Sequence, residues 1–407
     1  MNIKNKYVVL IGALMAQITI GGLYAWSIMS GALTGLGWNP DQVYYPYALA
    51  QFVFAASTLL SGRLVDKKGP RIAIIIGGVL YGGGLILSSF ATSPTMLYLT
   101  YGVISGAGVG FVYVCPLSTL IKWFPKNKGM ITGLGVSLFA GGSILTKKIM
   151  TTLLAVPNGA EMQLADVSSA FVQLGLISMV VIIIGGLLTN NPEGFVKQAA
   201  TRGEGDFTTA EMVKTSKFKY TWVMFWLAVT PGLLLLGAAK NIGINAGLDA
   251  ETAAGIITVL ALANAGSRLA SGTLSDKLGT LNVLRMAFVI TIVSLLGLSF
   301  MASVKAVFYL GVVGIAVGYG GFLALFPTFT NKEFGLFRYG SNYGVVYQAY
   351  GLAALSGIFL KKAFGSAYGT TFMVSAVAAC IGLGLSFMIK ERASEAARKE
   401  LPKAANA

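Results

Sequence analysis

The chain has 407 residues, 55% of them hydrophobic and only 11% charged, with a formal net charge of +15 and no histidine. A soluble domain carries about 25% charged residues, so the composition excludes an ordinary soluble protein. The missing imidazole excludes histidine as general base, proton relay or metal ligand. Cys115 and Cys380 lie far apart in apolar runs and read as two small buried hydrophobes, neither a disulfide nor a metal site.

Twelve apolar segments are predicted as helices, each close to the roughly 20 residues that a bilayer requires. They run over 7–29, 43–62, 72–92, 95–120, 130–154, 167–190, 220–239, 252–273, 282–303, 306–330, 342–363 and 367–389. The first is too long for the apolar core of a cleaved signal peptide, and Tyr24-Ala-Trp26 offers no small-residue cleavage site, so it is predicted to remain as helix 1. Between helices 6 and 7 the polar stretch 191–219 has the composition of a linker, with Thr208 and Glu211 spaced as a capping box. The expected organisation is a six-helix bundle over 1–190, a cytoplasmic linker over 191–219, a second six-helix bundle over 220–390 and a tail over 391–407.

Sorted by alternate loops, 23 of the 30 basic residues fall on the side of both termini. Six fall on the other side (Lys147, Lys148, Lys240, Lys305, Lys361 and Lys362), and Arg268 lies within a span. This bias predicts a multi-pass plasma-membrane (inner-membrane) protein with both termini cytoplasmic. The positive charge is thus a topology signal and predicts no nucleic-acid partner. Lys147-Lys148 and Lys361-Lys362 close helices 5 and 11 in matching positions and read as side chains snorkelling to the outer surface. An anion-gathering vestibule is the alternative.

One charged turn occurs twice. Gly62-Arg-Leu-Val-Asp66-Lys67-Lys68-Gly69-Pro-Arg71 joins helices 2 and 3, and Gly272-Thr-Leu-Ser-Asp276-Lys277-Leu-Gly279 joins helices 8 and 9. A turn repeated at half-length points to a duplicated six-helix unit. Its glycine lets the chain reverse, and Asp66 or Asp276 can accept bonds from a neighbouring helix N-terminus. Asp66, Arg71 and Asp276 are therefore candidate gating residues.

Arg268 sits in helix 8, more than a turn inside the span. An arginine there costs about 2.5–3.5 kcal/mol on insertion scales, and none of the twelve segments as drawn holds an acidic partner. Its fork of donors suits a carboxylate. Gln51 and Asn264 are further polar groups in apolar runs. Tyr24, Tyr113, Tyr319, Tyr347 and Tyr350 fall on helices 1, 4, 10 and 11 at similar inferred depth, each offering a hydroxyl and an apolar face.

The repeated turn resembles the signature of the major facilitator superfamily, which implies an all-α membrane protein of twelve transmembrane helices in two pseudo-symmetric six-helix bundles. Further motifs look like the oxalate/formate antiporter family, related to the monocarboxylate transporters. They are Tyr24-Ala-Trp26, Gly108-Val-Gly-Phe-Val-Tyr113, Lys122-Trp-Phe-Pro with Lys128-Gly129, Arg268, Tyr319-Gly-Gly through Pro327, and Asn342-Tyr-Gly344. The resemblance implies that Arg268 binds the carboxylate and that Tyr24, Tyr113, Tyr319 and Tyr347 line the pocket. Two positions depart from the pattern. Tyr350 stands where oxalate exchangers of this family have a lysine, and Asn264 stands where animal monocarboxylate transporters have an aspartate.

The expected function is therefore alternating-access transport of a small monocarboxylate (pyruvate, lactate or formate class), with Arg268 pairing the carboxylate. Proton symport and anion antiport both remain open. The alternatives are an oxalate/formate-type dicarboxylate antiporter and, further off, a membrane metabolite sensor. No enzyme is expected, since the spans hold no carboxylate pair and no nucleophile with a base. The expected partners are the substrate and the lipid bilayer, for a monomer with no cofactor and no metal.

Overall fold

The computed structural model describes residues 4–156, 161–193, 205–365 and 367–390. Among these the chain is helical, with no strand. The first group of rods is α1 (Lys6–Gly35), α2 (Pro40–Lys68), α3 (Pro70–Ser88), α4 (Pro94–Trp123), α5 (Lys128–Leu153) and α6 (Leu164–Leu187). The second is α7 (Ser216–Asn245), α8 (Ala250–Leu278), α9 (Thr280–Met301), α10 (Lys305–Phe334), α11 (339–364) and α12 (Tyr368–Met388). Ten helices are long and apolar enough to cross a membrane among the described residues; α8 and α11 complete the two groups. Within the first bundle α3 packs on α6 and α2 on α4. In the second, α9 packs on α10 and α12, and α8 on α10.

Local sequence explains where the rods break. Gly69 (φ +82°) and Gly279 (φ +85°) take the left-handed backbone conformation that reverses the chain after α2 and after α8. The repeated turn thus has one geometry in both bundles. In α1 the helix tightens to a 3₁₀ stretch over Gly21–Ala25. A Cβ at Gly21 would lie 2.1 Å from the Phe139 carbonyl oxygen, so α1 rides directly on the α5 backbone there. α11 is interrupted at Tyr347, between Tyr339–Val346 and Gln348–Phe364.

Two sequence expectations change and a third gains detail. First, α10 extends past 330 to Phe334, which brings Glu333 into the helix at 1% exposure. There it forms an ion pair with Lys217, so an acidic group does lie within a spanning helix. Hydropathy had ended the segment early because Asn331, Lys332 and Glu333 are polar. Second, Cys380 is exposed on the outer face of α12, while Cys115 is buried; both are free thiols. Third, the end of the linker is a docked element. The Thr208–Glu211 capping box forms around a short helix, Thr209–Met212. Phe207 stacks edge-on against Phe334, Asp206 accepts from the Leu336 backbone N–H, and Thr209 hydrogen-bonds Asn342.

Lys147 and Lys148 are exposed at the far end of α5. The side chains of Lys240, Lys361 and Lys362, linker residues 194–204 and the tail 391–407 lie outside the described residues.

Candidate substrate site and its gate

The bundles meet along two seams, α5 against α8 and α2 against α11. Each is built from small residues. A Cβ on Gly272 would lie 2.3 Å from the Gly129 carbonyl oxygen, and one on Gly62 would lie 2.1 Å from that of Gly340. Glycine at these crossings lets two backbones touch, the usual means of close helix packing where lipid removes the hydrophobic drive. Farther along the α5–α8 seam, Gly133 abuts the Arg268 carbonyl and Ser137 Oγ donates to the Ala265 carbonyl at 2.7 Å.

The repeated turns sit at one end of both seams, on the face that also holds Lys6 and Lys390 (below, the basic face). Asp276 accepts from the backbone N–H groups of Gly129 (2.9 Å) and Met130 (2.8 Å), at the start of α5. Asp66 accepts from the N–H groups of Gly340 (3.0 Å) and Ser341 (2.7 Å) and from the Ser341 hydroxyl (2.7 Å), at the start of α11. Each carboxylate caps the positive N-terminal end of a helix in the opposite bundle. In the repeated Gly-x-Leu-x-Asp, glycine allows the crossing and aspartate, one turn later, bridges it. The basic face is closed by this pair of contacts. Arg71 stands in the first turn of α3, half-exposed.

About two turns from the Asp276 cap lies Arg268, fully buried. Its Nε donates to Asn264 Oδ1 at 3.0 Å and its Nη1 to the Val136 carbonyl of α5 at 2.8 Å. The guanidinium carbon lies 6.0 Å from the Phe139 ring centre, a cation–π distance. Nη2 is buried with no hydrogen-bond partner. The arginine is thus tied on two sides, once across the bundles, with one nitrogen unspent.

Around it the tyrosines converge. Tyr24, Tyr319, Tyr113 and Tyr347 all lie within electrostatic reach of the guanidinium. The Tyr113, Tyr319 and Tyr343 hydroxyls are buried and make no hydrogen bond of ordinary geometry, with only other phenols close by. Tyr319 is held against α7 because Gly232 leaves room for its ring. Tyr347 lies 5.0 Å from Tyr113 and stacks on Tyr350 at 4.9 Å. The Tyr350 hydroxyl lies 3.3 Å from that of Tyr24 and 3.4 Å from Gln51 Oε1, while Gln51 Nε2 donates to the Tyr47 hydroxyl at 2.8 Å. All eight central residues singled out from sequence therefore lie in one cluster, buried except for the half-buried Tyr24.

Several members were not singled out from sequence. Phe54 and Phe139 fill the space between the phenols, with ring centres 5.1 and 5.2 Å from Tyr113. Gln348 bridges the α2–α11 seam, its amide nitrogen donating to the carbonyls of Ala55 and Gly344, both at 2.7 Å, and to Thr58 Oγ1 at 3.2 Å. Buried Gln17 donates to the Tyr113 carbonyl at 3.1 Å. The glutamines were visible as polar residues in apolar runs, the same signal that marked Gln51.

The model of the Major Facilitator Superfamily matches residues 8–358. The chain belongs to the major facilitator superfamily. It is 31% identical over 355 residues to the uncharacterized MFS-type transporter YhjX of Escherichia coli (strain K12), covering 86% of each protein. It is 28% identical over 402 residues to the oxalate:formate antiporter of Oxalobacter formigenes, covering 97% of this chain and 94% of that one. Among solved structures, the transporter FucP in its outward conformation superposes with a TM-score of 0.71 at 14% identity, covering 95% of this chain and 100% of FucP. The protein is thus a multi-pass membrane transporter of a small molecule, built on this superfamily's two-bundle fold.

Proposed function

We propose that this transporter carries a small monocarboxylate by alternating access and that Arg268 pairs with the carboxylate. The observation that carries the reading is Arg268 Nη2, a cationic donor buried without a partner among the buried Tyr113 and Tyr319 phenols. Leaving a charged donor unsatisfied costs at least about 1–3 kcal/mol, and an anionic guest removes that cost. Phe54, Phe139 and the stacked Tyr347 and Tyr350 shield the pair from water, which strengthens it.

Charge decides between monoanion and dianion. Among the described residues Arg268 is the only fully buried cation, and the one fully buried carboxylate, Glu333, is already paired with Lys217. A single positive charge balances one carboxylate. The likeness to the oxalate:formate antiporter over nearly the whole chain favours dicarboxylate exchange as a second reading. Tyr350, neutral and buried, argues against a second cationic contact.

In this reading the basic face is cytoplasmic, and the domains divide at 1–190, 191–219, 220–390 and 391–407. Asp66 and Asp276 hold the cytoplasmic side shut, with Arg71 an adjoining charge. Substrate neutralises the Nη2 end of Arg268. The Nη1 bond to Val136 ties the site to the α5–α8 seam, so filling the site bears on whether that seam opens. The test is uptake of labelled lactate, pyruvate and formate into proteoliposomes. Arg268→Gln is expected to lower uptake at least about 100-fold, as loss of a buried charge-assisted pair implies; uptake within a few-fold of wild type sinks the reading.

A further inference from the structure

A cavity of about 250 Å³ opens on the flank of the second bundle, between α7, α11 and α12. α7 packs on both of the others, which touch each other far less. Pro231 stands inside α7 on the cavity wall and removes a helix hydrogen bond at that turn. By the rise per residue, Thr230 on the wall is about 21 Å along α7 from Ser216, and Val374 about 9 Å along α12 from Tyr368. The cavity thus belongs to the half of the bundle away from the basic face. Phe359 and Val374 on its rim are exposed, as are Val377 and Ile381 farther along α12. In a membrane transporter such exposed apolar side chains meet lipid, so the cavity continues the lipid-facing surface inward.

The polar donors in its wall are already spent. Trp226 Nε1 donates to Ser356 Oγ and Ser356 Oγ to the Leu352 carbonyl, both at 2.9 Å. Thr230 Oγ1 donates to the Trp226 carbonyl at 2.7 Å, and Ser375 Oγ to the Thr371 carbonyl at 2.8 Å. Among the described residues no charged side chain lines it. Water or an anion finds no free donor here, while an empty space would leave the wall atoms without contacts. The fitting occupant is apolar and enters from the lipid side. A water-sized group takes roughly 30 Å³, and a methylene is of that size, so about eight methylenes fit. We infer that this cavity binds one acyl chain of a bilayer phospholipid, seated against α7 between α11 and α12. The site is separate from the central cluster but shares a helix with it. Phe225, the residue before Trp226, stacks on Phe326 at 4.3 Å and lies 6.0 Å from Tyr347. A chain in place therefore backs α7 at the turn Pro231 weakens, behind the wall on which Tyr347 rests.

The experiment is native mass spectrometry of the full chain, reconstituted with palmitoyl-oleoyl phosphatidylglycerol and then washed in detergent. A single phospholipid is expected to stay bound to each protein. Ala378→Phe puts a ring into the cavity and should lower the occupied fraction about tenfold, the effect of overfilling a packed space; thermal shift checks that the variant folds. Unchanged retention in folded Ala378→Phe places the lipid elsewhere and overturns the site. A second measurement leaves the cavity open. Phospholipid brominated on its acyl chains quenches tryptophan by contact, and the wild type should lose a larger share of its emission than Trp226→Phe. Equal quenching of the two proteins overturns the proposal. So does quenching of Trp226 with no lipid retained, the mark of annular lipid only.

Discussion

The two seams between the bundles are built alike and finished differently. Each has a glycine crossing and an aspartate cap, Gly272 with Asp276 on α5–α8 and Gly62 with Asp66 on α2–α11. Farther in, the α2–α11 seam carries Gln348, whose amide nitrogen meets three acceptors. The α5–α8 seam carries Arg268, which has a charge and one nitrogen without a partner. Both side chains cross the seam to a backbone carbonyl of the first bundle, Ala55 in one case and Val136 in the other. A bridge that only holds helices together can satisfy its donors, as Gln348 does. One that also receives cargo keeps a donor in reserve, and under the proposed function the unspent group marks the side of the duplicated fold where recognition sits.

The largest expected effect breaks the likeness of the seams at their crossings. A methyl group at Gly62 or Gly272 falls inside contact distance of a backbone carbonyl. Closing either seam should then cost about 1–3 kcal/mol, a several-fold to 100-fold shift towards a state open at the basic face. Spin labels on Arg63→Cys and Lys277→Cys, in a background lacking Cys115 and Cys380, read the distance across that face. Gly62→Ala and Gly272→Ala should each populate a longer distance, and an unchanged distribution in both contradicts a glycine-dependent closure.

A smaller effect is expected from the caps. Asp66→Asn and Asp276→Asn keep the shape and remove the charge at the helix N-termini. Each should favour opening by about 1–2 kcal/mol, read by the same labels. Since both caps engage backbone N–H groups of the opposite bundle, the two variants should shift the distance in the same direction. Opposite shifts would show that the repeated turns do different work.

Smallest, and sharpest for the comparison, is Gln348→Leu beside Arg268→Gln. Loss of the Gln348 amide should lower thermal stability by about 1 kcal/mol and change the initial uptake rate only a few-fold. A loss of uptake as deep as that of Arg268→Gln would mean the two seams are equivalent in function.

Much of this was legible in the sequence for two reasons: polar groups are conspicuous in apolar runs, and a repeat shows itself. Arg268, Gln51 and Asn264 stood out because a bilayer penalises them, and Gly-x-Leu-x-Asp because it occurs twice. The partners that give them meaning did not. The Val136 carbonyl is backbone, and Phe54 and Phe139 look like any apolar residue in an apolar helix. Glu333 fell beyond a boundary drawn by hydropathy, although α10 runs on to Phe334 at the protein's edge, where Lys217 meets it. Cys380 was misplaced because α12 is apolar around most of its circumference, which hides the outward face.

The most direct test is a structure determined with lactate bound. A carboxylate oxygen within about 2.7–2.9 Å of Arg268 Nη2 is the result predicted. Lactate bound elsewhere, with Nη2 still unpartnered or turned to a backbone carbonyl, would contradict the account.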